Sequence, residues 1–118
     1  MTLGDVLEAH ESALQFGGLP GIRDLGLVQS AIARPYSGYY RSISSKAAAL
    51  THSLAKNHGF ADGNKRTALL VLTLFLDRSG YRFRGTADTD VEKMILDVVE
   101  NKLSFDELTR WFKKRLLR

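Results

Sequence analysis

Cysteine is absent from the 118 residues, which excludes disulfides, thiolate metal sites, iron–sulfur clusters and a cysteine nucleophile. Histidine is scarce: only His10, His52 and His58 occur, without a His-x-His or His-x-x-x-His spacing, so a histidine-ligated metal hydrolase lacks its ligand set. No apolar run approaches the ~20 residues that span a bilayer; the longest, Ala68–Leu76, is interrupted by Thr73. Asp5 and Glu8 stand where a signal peptide needs a basic segment and an apolar run. The chain is therefore expected in the cytoplasm, with no membrane partner. Repeats, low-complexity tracts and long linkers are missing too. What remains is an ordinary soluble balance, 44% apolar and 25% charged, sufficient for a single domain over 1–118 with an unstapled core.

The formal charge of +4 is a property of one end. Arg110, Lys113, Lys114, Arg115 and Arg118 fall in the last nine positions, and the other twelve basic residues are one fewer than the thirteen acids. Cations favour the negative end of a final helix, which accounts for the cluster. No aromatic interleaving or DNA-binding motif accompanies it, so nucleic acid is not an expected partner.

Helix punctuation dominates the chain. Thr2 caps a first helix whose Leu3, Val6, Leu7, Leu14 and Phe16 predict one buried face, stopped by Gly17-Gly18 and Pro20. Asp24 caps a short helix reaching Ala33, because Pro35 disfavours helical geometry at Arg34. The stretch Pro35–Ser45, with Tyr36, Tyr39, Tyr40 and Ile43 among Ser and Gly, reads as an extended excursion or small hairpin. Helices are then expected from about Ser45 to Asn57 and from about Asn64 to Ser79. The second is apolar almost all round, which predicts burial all round at the centre of the domain. Tyr81–Arg84 alternates like a brief strand, and Thr89…Glu92 and Ser104…Glu107 match capping boxes opening two last helices. The expected fold is all-α, with about six helices.

The stretch His58-Gly-Phe-Ala-Asp-Gly-Asn-Lys-Arg66 carries the chemistry. It leads a glycine-bearing polar loop into the amino end of the most apolar helix, where unpartnered amides and the helix dipole favour an anion, phosphate especially. Gly63 lets a ligand approach the backbone. Lys65 and Arg66 oppose the dipole by ~0.3–1 kcal/mol each, which makes sense where a multivalent anion is held between them. Asp62 suits Mg²⁺, which takes one or two carboxylates with phosphate oxygens and water. His58 suits removal of a proton from an attacking hydroxyl. Singly, an N-cap, an ion-pair partner and a loop histidine would explain these residues; their concentration within nine positions favours a site. Phe60 is expected to plug into the core and pin the loop. Trp111 and Phe112 read as core closure and His52 as a packing or surface residue, while Arg82 and Arg84 are outside candidates for a phosphate contact.

These residues closely resemble the signature of the Fic/Doc superfamily, His-x-Phe-x-Asp/Glu-Gly-Asn-Gly-Arg and, after two intervening residues, a second Arg. The agreement holds at His58, Phe60, Asp62, Gly63, Asn64 and Arg66. Lys65 replaces the second glycine and Leu69 the second arginine, as in the Doc branch, the toxins of death-on-curing modules; Gly17-Gly18-Leu19-Pro20-Gly21 and Ala68 extend the likeness. The resemblance implies a fido fold, helices around a central buried motif helix with a short flap before it. It implies transfer of part of ATP to a protein hydroxyl, with His58 as general base and Asp62 as Mg²⁺ ligand. Gly63 and Asn64 would cradle phosphate, and Lys65 and Arg66 would neutralise it. The flap would be Pro35–Ser45, whose edge and Tyr36, Tyr39 and Tyr40 would dock the target.

In AMP-transferring members the second glycine leaves room for the phosphates and the second arginine grips them. Lys65 and Leu69 favour the opposite docking and γ-phosphate transfer, as Doc-type toxins are held to perform on a translation elongation factor. AMP transfer is the alternative reaction, and a catalytically silent binding module the alternative of another class. The inhibitory pattern Ser/Thr-x-x-x-Glu-Gly/Asn is not intact, since Leu96 precedes Glu100-Asn101. Inhibition is therefore expected in trans, from an antitoxin.

Overall fold

The computed structural model describes all of residues 1–118. Six helices occur in chain order: α1 (Leu3–Leu14), α2 (Leu25–Ala33), α3 (Ile43–Lys56), α4 (Asn64–Arg78), α5 (Asp88–Val99) and α6 (Phe105–Arg115). The only sheet is a two-residue antiparallel ribbon, β1 (Arg82–Phe83) against β2 (Leu116–Leu117), with Arg82 opposite Leu117. The architecture is all-α, as expected, and compatible with a fido fold.

Local chemistry sets most boundaries. Thr2 and Asp5 form a reciprocal capping box at 2.8 and 3.2 Å, Asp24 accepts from the Leu27 amide at 3.1 Å, and Ser104 and Glu107 cap α6 at 3.0 and 3.1 Å. Each such cap stabilises its helix by about 1 kcal/mol. α4 ends in a Schellman motif: Gly80 takes φ +80° while the Tyr81 amide reaches back to the Leu76 carbonyl at 2.9 Å. Two expected starts move. α3 begins earlier because Ser42, rather than a later serine, caps it through the Ser45 amide at 3.0 Å. α5 begins at Asp88 because the Asp90 carboxylate holds the Ala87 amide at 3.2 Å, so Thr89…Glu92 is not its capping box.

Of the two shapes expected for Pro35–Ser45, an extended excursion or a small hairpin, the hairpin is not there. Arg34–Tyr36 is a 3₁₀ turn with Pro35 at its start, and the chain runs on without strand pairing to Ser42. Arg34 explains this shape: it donates to the Tyr40 hydroxyl and to Ser53 Oγ, both at 2.8 Å, and lies over the Tyr40 and Phe105 rings. These bonds fold the segment onto α3 and α6 instead of leaving an edge free.

Burial also departs from the hydropathy reading. α4 buries Thr67, Ala68, Val71, Leu72, Phe75 and Leu76, but Leu69 and Leu74 are only half-buried and Leu70 is 38% exposed. The central helix is α3, whose Ala47-Ala48-Ala49-Leu50-Thr51 run is wholly enclosed. Its small side chains let α2, α4, α5 and α6 all pack against it, whereas α4 keeps one side, around Leu70 and Thr73, open. Phe16 lies beyond the end of α1 and is 72% exposed, so it is not part of that helix's buried face. Phe112 is fully buried and Trp111 half-buried against it, closing the core as expected. No helix is long and apolar enough to cross a membrane.

Candidate active site

The loop from His58 to Gly63 joins the two most contacted helices, α3 and α4, and is moulded by the segment that follows α1. The Gly59 carbonyl accepts from the Arg23 and Asp24 amides at 2.9 and 3.0 Å, and the Ala61 amide donates to the Gly21 carbonyl at 3.1 Å. This pairs Ile22 with Phe60 as an isolated antiparallel bridge. Phe60 is buried and pins the loop, as expected, and its backbone is clamped at both ends by the Asn64 side chain, at 3.0 and 3.1 Å. Asn64 is thus engaged structurally through its amide group, and its own backbone N–H remains available.

A cavity of about 570 Å³ opens here, lined by His58, Asp62, Gly63, Asn64, Lys65 and Arg66 together with Phe16, Gly17, Gly18, Ala55, Ala61 and Val99. The five polar residues of the sequence motif and Gly63 therefore meet in one place. Gly63 is the N-cap of α4 with φ +75°, and no side chain caps the helix. The amides of Asn64, Lys65 and Arg66 have no partner in the protein, the first ladder bond being Thr67 to Gly63. Open amides at a positive helix end are an anion site, and here they share the cavity with two cations.

The Asp62 carboxylate accepts from the Gly63 amide at 2.8 Å and the Leu19 amide at 3.2 Å. These two backbone bonds, Gly63 first, hold its carboxyl below the usual carboxylate range and keep it ionised at neutral pH. It is the one carboxylate lining the cavity, and no cluster of three or more His, Cys, Asp or Glu occurs in the fold. Such a donor set fits a hard ion held by one carboxylate with water and phosphate oxygens, Mg²⁺ above others, and not an all-protein cage.

His58 follows α3 directly, is exposed and sits at φ +51°. Its ring makes no hydrogen bond within the protein and borders the cavity, free to engage a substrate hydroxyl. Arg66 is turned back onto the neighbouring loop, donating to the Phe16 carbonyl at 3.2 Å with its guanidinium 4.8 Å from the Phe16 ring centroid.

The other residues singled out in the sequence lie away from the cavity. Tyr36, Tyr39 and Tyr40 do not line the cavity; Tyr36 packs on Phe75, Tyr39 on Tyr40, and Tyr40 on Phe105. Arg82 and Arg84 lie at the β1–β2 ribbon, outside it. His52 contacts Arg34 at 3.3 Å, and burial together with the Arg34 charge lowers its pKa, which marks a packing residue. Glu100 pairs with Lys102 at 2.9 Å and does not line the cavity.

The loop's supports were not legible as such. Leu19 offers only a backbone amide, and His10 bonds the Asp62 carbonyl from 52 residues away at 2.8 Å. The one sequence signal for His10 is its spacing, since Val6, His10 and Ala13 fall on the buried face of α1.

Comparison with known proteins places the chain in a family. The Fic/DOC family pattern matches residues 1–76, which contain the whole loop. "Toxin Doc" of Mycolicibacterium smegmatis is 37% identical over 110 residues, covering 88% of this chain and 83% of that protein. "Protein kinase doc" of Escherichia phage P1 is 35% identical over 81 residues, 64% of each chain. With the family pattern extending over more than half of the chain and a relative aligned along most of both sequences, the protein belongs to the Fic/DOC family.

Proposed function

We propose that this protein is a Doc-type toxin that transfers the γ-phosphoryl group of ATP to a hydroxyl of a target protein. The observation that carries the reading is the convergence in one cavity of the open α4 amides, Lys65, Arg66, the ionised Asp62 and the unengaged His58 imidazole. Phosphoryl transfer needs little from a protein beyond positioning and charge neutralisation, and this end of α4 is built for both.

His58 takes the proton of the acceptor hydroxyl. The acceptor oxygen then forms its bond to the γ-phosphorus as the bond from that phosphorus to the bridging oxygen breaks, and ADP leaves with the electron pair. The amides of Asn64, Lys65 and Arg66 hold phosphate oxygens through the backbone, and the two side chains offset their charge. Asp62 would hold Mg²⁺, which when bound neutralises charge on the phosphates. Arg66 leaves the Phe16 carbonyl to do its part, exchanging a neutral acceptor for a charged one.

The choice of γ-phosphate rests on two residues and one name. Lys65 places a long cation where AMP-transferring relatives have glycine, and Leu69 offers no donor where they have arginine. A relative is called a protein kinase. The "Toxin Doc" relative supports an antitoxin acting in trans, and the Doc branch points to a translation elongation factor as the acceptor, so that translation halts.

Incubation with γ- or α-labelled ATP and a cell lysate, beside a His58→Asn control, tests all of this. Label from the γ position on one protein band, lost in the control, is expected, and the band identifies the acceptor. Label from the α position instead assigns AMP transfer, and no label from either leaves a binding module. Expression alone should arrest growth, and co-expression of the antitoxin should restore it.

A further inference from the structure

His10 is buried, 6% exposed, on the face of α1 that meets the loop. Its ring stacks on Phe60 with centroids 3.8 Å apart and planes at 10°, and its Nε2 lies 2.8 Å from the Asp62 carbonyl oxygen. A carbonyl only accepts, so the hydrogen of that bond is on Nε2. No other group in the protein bonds the Asp62 carbonyl. The rest of the loop is held differently: Phe60 by Asn64, Gly59 by Arg23 and Asp24, and Ala61 by Gly21. The carbonyl of the Asp62–Gly63 peptide is thus fixed by a single side chain, while its N–H meets only the adjoining Asp62 carboxylate.

We propose that His10 is a positioning residue for the site, whose Nε2–H sets the orientation of the Asp62–Gly63 peptide and through it the open end of α4. A peptide is planar, so drawing its carbonyl inward to His10 turns its N–H outward, where it donates to Asp62 Oδ1 at 2.8 Å. Gly63 has no Cβ to resist a rotation of this peptide and occupies a left-handed φ of +75°. Its backbone would therefore be soft without an anchor. Even a Cβ added at Gly63 would meet His10 Cδ2 and Nε2 only at 3.7 Å, ordinary contact and not a wedge. The bond, and not crowding, sets the plane. The same anchor places the carboxylate that would hold the metal and the first open amides, those of Asn64 and Lys65.

The inference rests on the phosphoryl-transfer reading for its kinetic arm alone. In the wild-type protein, nitrogen NMR should find the His10 hydrogen on Nε2; a ring protonated on Nδ1 alone overturns the proposal without any variant being made. His10→Phe keeps a stacking ring and removes the donor, whereas His10→Gln places an amide donor at similar reach. In the nucleotide-free protein, the Gly63 amide of His10→Phe should exchange its hydrogen about tenfold faster, the size of one lost hydrogen bond, and His10→Gln should recover most of the difference. In the transfer assay, His10→Phe should lower kcat about tenfold with acceptor KM within about twofold of wild type, and His10→Gln should return kcat to within about threefold. Equal exchange and equal kcat in wild type and His10→Phe reduce His10 to a core filler. Equal damage from Phe and Gln assigns the effect to packing and overturns the role of the bond. Should the wild-type protein transfer no phosphate, the functional reading fails, while the NMR and exchange results still decide the role of His10.

Discussion

At His58 the backbone sits at φ +51°, a left-handed geometry that costs a non-glycine residue about 1–2 kcal/mol. Asparagine accepts this region more readily than most residues. His58→Asn should therefore melt at or above the wild-type temperature while transferring label about 10²–10⁴-fold more slowly, the usual range for a lost general base. Thermal melting and the transfer assay read the two halves separately, and an active His58→Asn protein removes the imidazole from the mechanism. A second residue is suboptimal without any evident function. Thr51 is completely buried on α3 and its hydroxyl finds no partner, a cost that a similarly shaped apolar side chain avoids. Thr51→Val should raise the unfolding free energy by about 1 kcal/mol in a denaturant titration; a loss would show that the hydroxyl is satisfied in solution.

The contact between α2 and the motif loop has no slack. Gly59 is buried, and a Cβ there would lie 2.5 Å from Val28 Cγ2 and 3.3 Å from the Val28 amide nitrogen. Val28 is itself 1% exposed and stiff at χ1, so neither side can yield. Gly59→Ala should cost about 1–3 kcal/mol and shift the loop, lowering activity further than the lost stability explains; a denaturant titration paired with the transfer assay measures both. Helix limits were legible in the sequence because capping is local: Thr2 with Asp5, and Ser104 with Glu107, state their own geometry within four residues. Centrality was not legible in the same way. The leucines of α4 announce hydrophobicity, but whether Leu70 is covered depends on neighbours that its own sequence does not contain. The alanines of α3 look unremarkable, yet small size is what admits helices on every side. The motif residues were legible because their spacing survives as contiguity in one loop. The hairpin alternative for Pro35–Ser45 fails because Arg34, from outside the stretch, ties Tyr40 down.

The charges of the whole molecule predict its behaviour in acid. Asp5 is held well below the ordinary carboxylate range by its hydrogen bonds to Arg78, at 2.7 and 3.1 Å, and to Thr2, while Asp62 and Glu107 are lowered by backbone and hydroxyl donors. A depressed folded pKa contributes stability that is fully present above the unfolded value, near ~4, and is lost as pH falls through the folded one. Stability should thus be level near neutrality and decline below about pH 4. The gap between wild type and Asp5→Asn should narrow as pH drops, in denaturant midpoints taken from pH 7 to pH 2; a constant gap would mean that the Asp5–Arg78 pair contributes nothing. At the same scale, the loop's fastenings reach far along the chain: His10 and Leu19 hold Asp62 from 52 and 43 residues away, and Phe16 holds Arg66 from 50. Such closures form only after the intervening helices have found one another. Catalytic competence is therefore a late arrival in folding and an early casualty of warming, and the enzyme should fall silent at temperatures where circular dichroism still registers intact helices.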